Sequence, residues 1–242
     1  MSELRILEQL EDASNGVFLA EFRGNRVIYK PSHLERELWD FPTGSLALRE
    51  RATYLIDMWL GWNLVPETNL ISTEDGIGSI QNWVPGEPKL VDIVLKSDIS
   101  LNDLPIVFGN SETGHEIALV HSDNFDLQKI VLLDAITNNA DRKGGHILTD
   151  ESGTSYAIDH GVTFHTEPKL RTVLWGWAGS VIPEELLAGV VKLNIDFSKT
   201  ELPQLLSGDE IAALTARIQN LLETGRFPEP NDAWPSLPWP LF

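Results

Sequence analysis

The sequence contains no cysteine among its 242 residues. This absence excludes disulfide bonds, thiolate catalysis and cysteine-ligated zinc, so a bound metal must use oxygen or imidazole ligands. There is no run of 18 or more apolar residues, and Met1 to Leu4 lack the charged-then-apolar order of a signal peptide. We therefore expect a cytoplasmic protein without a membrane span.

Basic side chains are scarce. Eighteen lysines and arginines stand against 36 aspartates and glutamates, which gives a net charge of -18. A surface with this charge repels polyanions, which argues against a nucleic-acid partner and against a role on an anionic membrane. Charge of this kind says little about the fold.

The length and the hydrophobic content of 42% allow one sizeable core or two small packed lobes. The strongest interruptions of the pattern are Val84-Pro85-Gly86 and a proline-rich tail that begins at Phe227. We predict one domain over residues 1–242. Its N-terminal lobe is expected to cover residues 1–84, and the second lobe, with the tail, residues 85–242.

The N-terminal lobe is predicted to be a small β-sheet with one helix. Arg23-Gly24-Asn25 separates two β-prone segments in the manner of a hairpin. From Ser45 to Trp62 the apolar residues recur at helical spacing, and Gly61 stands where that pattern ends. The predicted strands cover residues 16–20, 26–30, 70–72 and 79–84.

The second lobe is predicted to be mainly helical. One helix has its buried face from Leu127 to Ile136, with Asp123 or Asp126 as its N-terminal cap. Another begins at the capping-box pattern that starts at Ser207 and ends at Gly225. A short hairpin of residues 147–149 and 155–158 lies between these helices.

The tail from Phe227 contains five prolines and two of the eight tryptophans, a composition that could also serve as a ligand for a proline-reading domain. Trp234, Trp239 and Phe242 are costly to leave in water, so we expect the tail to pack against the second lobe. Trp175 and Trp177 are predicted to pack in the core, with the wall of an acceptor pocket as the alternative.

Two aspartates, Asp141 and Asp159, flank the predicted hairpin 18 residues apart. Phosphoryl transfer needs one carboxylate to orient the attacking hydroxyl and another to hold the Mg2+ that bridges the phosphates. The two aspartates are therefore candidates for these two roles.

The segments around these aspartates resemble a known group of kinases. Asn139-Ala140-Asp141-Arg142 and Ile158-Asp159-His160-Gly161 are similar in order and spacing to motifs of the phosphoinositide 3-/4-kinase superfamily. The similarity is greatest to type II phosphatidylinositol 4-kinases, HipA-type kinases and small actinobacterial kinase-like proteins. Residues 50–61 and Val65-Pro66-Glu67-Thr68 also resemble the glutamate-bearing helix and the strand of these kinases. This resemblance implies an α+β, bilobal, protein-kinase-like fold.

The resemblance assigns roles to individual residues. It makes Asp141 the catalytic-loop aspartate and Asp159 the Mg2+ ligand. Lys30, at the end of a predicted strand, corresponds to the lysine that pairs with the α- and β-phosphates and with a helix glutamate. That glutamate is expected to be Glu50, with Glu37 in reserve.

The resemblance also implies ATP as the nucleotide, with Mg2+ or Mn2+ as the metal. The signature G-x-G-x-x-G is absent, so the phosphate-covering loop is placed by its position at residues 14–16, and the adenine-facing hinge at residues 81–83. The residues expected to contact the nucleotide are Ser14, Asn15, Gly16, Lys30, Gln81, Asn82, Trp83 and Asn139.

His146 departs from the family pattern, because it stands where these kinases have a metal-binding asparagine. Imidazole can bind a metal but is a poorer ligand than an amide oxygen for Mg2+. Three functions remain open on the sequence. They are an ATP- and Mg2+-dependent phosphotransferase acting on a protein or soluble small molecule, a weak or inactive pseudokinase regulator that binds nucleotide, and an AMP-transferring enzyme.

Overall fold

The computed structural model describes residues 4–10, 16–231 and 234–242. Within these ranges the chain forms an α+β structure, as predicted. Its strands are β1 (Leu4–Gln9), β2 (Phe18–Phe22), β3 (Asn25–Pro31), β4 (Thr68–Thr73), β5 (Gly76–Asn82), β6 (Val91–Leu95), β7 (Asp103–Asn110), β8 (Glu116–Ser122), β9 (Ile147–Thr149) and β10 (Ser155–Ala157). Its helices are α1 (Leu46–Leu60), α2 (Phe125–Thr137), α3 (Glu184–Val191), α4 (Leu202–Leu205) and α5 (Gly208–Thr224).

The first five strands form an antiparallel sheet in the order β1-β2-β3-β5-β4. The turn between β2 and β3 has positive φ at both Arg23 and Gly24, which suits a two-residue hairpin and confirms that prediction. Tyr29 faces a small core of this sheet. Because side chains alternate along a strand, Lys30 points to the opposite face.

Helix α1 follows the predicted pattern closely. It begins after Ser45 and ends at Gly61, whose φ of 74° allows its N–H to donate to the carbonyls of Asp57 and Met58. The apolar face of α1 packs into the main core and leaves the small core of the sheet separate. The helix therefore connects the N-terminal sheet to the rest of the molecule.

Helix α2 lies at the centre of the main core and is buried without interruption from Ile130 onward. Its N-terminal cap is Asn124, whose side chain accepts the N–H groups of Asp126 and Leu127. The predicted caps, Asp123 and Asp126, were therefore wrong. The asparagine between them lies at the first position with extended backbone before the helix.

The second half also contains the predicted β9–β10 hairpin and helix α5. Ser207 and Glu210 form a complete capping box, and Gly225 ends α5 with a φ of 59°. These termination signals are local in sequence, which explains why the sequence was sufficient to predict them.

A second antiparallel sheet, with the order β6-β8-β7, was not predicted. It is docked on the remainder of the structure through His121, whose Nε2 accepts the N–H of Gly176 at 3.0 Å. A Cβ at Gly176 would lie 2.6 Å from this nitrogen, so the close approach requires glycine. The ring of Trp177 lies 4.4 Å from the imidazole and completes the contact.

The proline-rich tail packs along this region in part as predicted. The carbonyl of Ser236 accepts hydrogen bonds from Thr172 N–H and from Trp175 Nε1. Trp175 and Trp177 are buried, in agreement with core packing. Trp239, however, is 85% exposed, so the expectation that it packs was wrong. Among the described residues, no helix has the length and apolar character needed to cross a bilayer.

Asp57 is an ionisable group inside the core. Its Oδ2 accepts the N–H groups of Leu64 at 2.8 Å and Val65 at 2.9 Å, which fixes the chain after α1. Burial raises the pKa of Asp57 from 3.8 to about 6, although these two hydrogen bonds oppose the rise. The folded state therefore binds this proton more tightly than the unfolded chain. The stability linked to it is complete below pH 3.8 and is lost as the pH rises through 6.

We expect Asp57→Asn to remove this pH dependence, because an amide keeps an acceptor oxygen and does not titrate. Between pH 5 and pH 7.5 the wild type should lose about 1.4 kcal/mol of unfolding free energy relative to the variant. Urea unfolding across this range measures the difference, with Asp75→Asn in the exposed β4–β5 turn as the control. A difference that stays constant with pH would contradict the assignment.

Candidate functional site

Lys30 lies at the centre of a group of charged residues brought together by three elements. Its Nζ is 2.5 Å from Glu50 Oε1 on α1 and 2.8 Å from Asp159 Oδ1 in the loop after β10. Burial opposes the charge on Lys30, but the two carboxylates outweigh it and raise the pKa of the lysine. The ammonium group therefore remains charged and joins the sheet to α1 and to this loop.

Glu50 is the partner that the sequence suggested. Its side chain is almost completely buried on the face of α1 that turns toward Lys30. Gly161 lies beside it, and a Cβ at that position would make a tight contact of 3.3 Å with Leu46 Cβ but only an ordinary one of 3.9 Å with Glu50 Oε1. The reserve candidate, Glu37, is exposed.

Asp159 occupies a backbone conformation that is uncommon for a residue other than glycine, with a φ of 61°. One carboxylate oxygen contacts Lys30, and the other lies 3.3 Å from His146 Nε2. The charge of Lys30 outweighs burial and holds the pKa of Asp159 well below its usual range. The carboxylate of Asp159 is therefore ionised in the folded protein at neutral pH.

His146 lies beside Asp159 as a neutral side chain. Burial lowers the pKa of His146 to about 4. Its Nδ1 is buried and has no hydrogen-bond partner among the residues that the structure describes. With the ring proton on Nε2 directed at Asp159, Nδ1 presents a free lone pair.

The loop after α2 holds Asp141 on the same side of the molecule. The N–H of Asp141 donates to Asn139 Oδ1, and Asn139 Nδ2 donates to Asp134 Oδ1. Burial raises the pKa of Asp141, although Lys143 opposes this, with its Nζ 3.3 Å from Asp141 Oδ2. Asn139, expected to contact nucleotide, is fully buried, with its side-chain oxygen bonded to Asp141 in this loop and its side-chain nitrogen bonded to Asp134 of α2.

A buried ion pair that the sequence analysis missed holds the two aspartate loops together. Arg142 makes a bidentate contact with Asp134 of α2, with two N–O distances of 2.9 Å. Its Nη1 donates to the carbonyl of Ile158 at 2.8 Å, and its Nη2, which also bonds Asp134, lies 2.7 Å from His160 Nε2. Burial lowers the pKa of His160 well below its ordinary value, so this imidazole is neutral and accepts the bond. A carboxylate on the buried face of α2 was the signal in the sequence, because such a group needs a partner.

The predicted hinge residues lie at the end of β5. Gln81 is buried, and its Nε2 donates to Thr68 Oγ1 at 2.8 Å within the sheet. Asn82 and Trp83 are exposed, and the N–H of Trp83 donates to the carbonyl of Arg26. The side chains of Asn82 and Trp83, rather than that of Gln81, are therefore exposed at this edge, while the N–H groups of both residues are already bonded.

Only part of the predicted phosphate loop can be located. Ser14 and Asn15 lie outside the described residues. Gly16 has a φ of 75°, and a Cβ there would lie 2.5 Å from Leu34 Cβ, so this position requires glycine.

The residues predicted to hold a metal form a partial site. In the described part of the chain, no group of three or more His, Asp or Glu side chains is arranged around a common point. Asp159 supplies an ionised carboxylate, and the Nε2 of His146 lies 3.3 Å from its Oδ2, while the unpartnered Nδ1 is the other ring nitrogen. Mg2+ in phosphoryl-transfer sites is commonly held by one or two carboxylates together with substrate phosphates. Asp159 could therefore supply one carboxylate to a metal site, with His146 Nε2 as a second ligand only when the ring proton is on Nδ1.

The buried ion pair gives a direct test of what holds this site. We expect Asp134→Asn to lower the free energy of unfolding by about 3–5 kcal/mol, because it leaves the charge of Arg142 buried without a counter-charge. The control is Asp126→Asn on the same helix, which breaks a partly exposed pair with Lys129 and should cost about 1 kcal/mol or less. Urea unfolding of both variants measures the costs. Equal costs would show that the buried pair is not a major constraint.

Comparisons with known proteins bear on the fold and the family of the chain. No family model matches the chain. The chain is 42% identical to Protein Rv2133c of Mycobacterium tuberculosis (strain ATCC 25618 / H37Rv), and the match covers 99% of this chain and 92% of that protein. In structure it is similar to the Helicobacter pylori proinflammatory kinase CtkA, with a TM-score of 0.55, 12% identity and 94% of both chains covered. The chain therefore has a kinase-like fold and belongs to the same family as Protein Rv2133c.

Proposed function

We propose that this chain is an ATP- and Mg2+-dependent phosphotransferase of the phosphoinositide 3-/4-kinase-like superfamily. The observation that carries the proposal is the double ion pair of Lys30 with Glu50 and Asp159, on the same side of the molecule as Asp141. Kinases use a strand lysine paired with a helix glutamate to hold ATP phosphates, and an aspartate after the catalytic loop to hold metal. The similarity to the fold of a bacterial kinase supports the same reading.

Lys30 would bind the phosphates of ATP. An ammonium group has three N–H donors, and Glu50 and Asp159 occupy two of them. The third is left for a phosphate oxygen. Glu50 keeps Lys30 in place during binding, because it is buried on a rigid helix. Asp159 and His146 would hold Mg2+, which supplies charge neutralisation to the phosphate oxygens when bound.

Asp141 would orient the acceptor hydroxyl. Its Oδ2 faces Lys143, while Oδ1 is free to accept the hydroxyl proton. In the transfer, the acceptor oxygen forms a bond to the γ-phosphorus of ATP as the bond to the β,γ-bridging oxygen breaks. The hydroxyl proton passes to Asp141, and ADP leaves.

We propose a protein or a soluble small molecule as the acceptor, since the acidic chain is poorly suited to an anionic membrane surface.

A second candidate is a nucleotide-binding regulator with little or no catalysis. His146 replaces the usual asparagine ligand, and Asp159 is already neutralised by Lys30. Both features weaken the metal site relative to an active kinase. This candidate requires that ATP raise the melting temperature without being converted to ADP.

The role of Asp159 can be tested by calorimetric titration with ATP, with and without Mg2+. We expect Mg2+ to strengthen ATP binding to the wild type, and Asp159→Asn to weaken Mg2+-ATP binding at least about tenfold. The matched control is Glu151→Gln at the exposed tip of the β9–β10 hairpin, which should bind as the wild type does. A wild type that binds no ATP, or an Asp159→Asn protein that binds Mg2+-ATP equally well, would refute the proposal.

The role of Asp141 separates the candidates. We expect Asp141→Asn to retain Mg2+-ATP binding and to lose about 100- to 10,000-fold in ADP formation, because an amide cannot accept the hydroxyl proton. A coupled ADP assay measures turnover, and the mass of any modified protein distinguishes phosphate from AMP. Unchanged turnover in Asp141→Asn would contradict this role. Binding without ADP in the wild type would favour the regulator.

A further inference from the structure

Arg171 lies immediately beside the candidate catalytic aspartate. Its N–H donates to the carbonyl of Asn139 at 3.0 Å, and its own carbonyl accepts the N–H of Arg142 at 3.0 Å. Asp141 lies between these two bonding partners in the sequence. These two hydrogen bonds therefore fix the backbone of Arg171 against the loop of Asp141.

The side chain of Arg171 is positioned by an aromatic ring. Its Cζ lies 4.4 Å from the centre of the Trp234 ring, a distance typical of a stacked guanidinium. Arg171 Nε is buried without a hydrogen-bond partner, and so is Trp234 Nε1, among the residues that the structure describes. Buried donors of this kind are rare in folded proteins and call for an acceptor.

The Trp234 ring also contacts Lys169, a cation whose charge is paired with a carboxylate. Lys169 Nζ lies 4.7 Å from the same Trp234 ring, and it also forms an ion pair with Asp40 Oδ2 at 2.5 Å. Arg171 forms no ion pair with a carboxylate among the described residues, although the chain has twice as many acidic as basic side chains. Arg171 therefore has no ion-pair partner of its own in the described part of the chain, and the carboxylate that its charge reaches is that of Asp141.

The charge of Arg171 also acts on Asp141. Burial raises the pKa of Asp141, while Lys143 and Arg171 are among the groups that lower it. A cation close enough to influence this carboxylate is close enough to hold part of a molecule whose hydroxyl meets Asp141.

We propose that Arg171, held flat by Trp234, binds an anionic group of the phosphoacceptor. The acceptor would then be a hydroxyl compound that carries a carboxylate or a phosphate, the two groups that match the planar donor fork of arginine. This inference rests on the proposed phosphotransferase function. The anionic group takes no part in bond making; it fixes the neighbouring hydroxyl at Asp141, from which the phosphoryl transfer proceeds as described above.

The test uses inorganic phosphate and acetate as probes, titrated at constant ionic strength into the full chain saturated with Mg2+ and a non-hydrolysable ATP analogue. We expect Arg171→Met to weaken binding of the preferred anion about 10- to 100-fold, as for the loss of charge-assisted hydrogen bonds. Arg171→Lys should lose less, because it keeps the charge without the planar fork. The control is Arg5→Met on β1, which removes one positive charge at an exposed pair with Glu21. The preferred probe distinguishes a phosphate from a carboxylate acceptor.

The affinity of Arg171→Met for the ATP analogue shows whether Arg171 contacts the acceptor or the nucleotide. Unchanged analogue affinity in Arg171→Met, with weakened anion binding, supports the proposal. It is overturned if neither anion binds the wild type, if the anions bind Arg171→Met equally well, or if this variant loses analogue affinity. Anion titrations repeated without the analogue separate the two levels of inference. If the wild type binds no analogue, the kinase assignment is refuted. If anion affinity still depends on Arg171 in that case, the anion site is retained.

Discussion

The buried ion pair between Arg142 and Asp134 is the contact on which the candidate site depends. Asp134 belongs to the central helix, and Arg142 reaches from it to the carbonyl before Asp159 and to His160. One guanidinium group therefore ties together α2, the loop of Asp141 and the segment of Asp159. A buried pair of this kind adds little net stability compared with apolar packing, but losing one partner is costly. Its contribution is the fixed geometry of the two loops.

Lys30 extends that geometry to the N-terminal sheet. The sheet has its own small core, separate from the main core to which α1 belongs. The bonds from Lys30 to Glu50 and Asp159 thus connect elements that apolar packing does not join into one cluster. Because phosphates compete with Asp159 for this ammonium group, binding of an anionic nucleotide would change the link between the sheet and the Asp159 loop. Under the proposed function, nucleotide binding and the relative position of these parts would be coupled through one side chain.

The sequence predicted features that depend on neighbouring residues and missed those that depend on distant ones. The turn at Arg23 and Gly24 and the end of α1 at Gly61 are set by local backbone chemistry, so they were predicted correctly. The β6-β8-β7 sheet was missed because Pro105 and a register shift after it interrupt the alternation of β7. Its docking also depends on Gly176, far along the chain.

The residues of the candidate site also fall into those that the sequence predicted and those whose roles depend on distant contacts. Ordered motifs in the sequence placed Asp141, Asp159, Lys30 and Glu50 as candidates, and the structure brings the last three into direct contact. The importance of Asp134 and Arg171 could not be seen in the sequence, because it arises from partners on other elements. Trp234 was expected only to pack, yet in the structure its ring lies under the cations Lys169 and Arg171. The role of each of these residues depends on contacts that exist only in the folded chain.

The distribution of charge explains how so acidic a chain could bind a polyanion. A net charge of -18 would repel ATP if it were spread evenly over the surface. Arg142 and Lys169 are neutralised by Asp134 and Asp40, and both are buried, so they act as structural cations. Three further cations, Lys30, Lys143 and Arg171, lie near Asp141 and Asp159, where Lys30 and Lys143 are themselves paired with carboxylates. Because short-range fields in a partly buried site are screened much less than charges on the surface, a phosphate that replaces a carboxylate beside one of these cations would meet a local positive charge while the remaining surface stays negative.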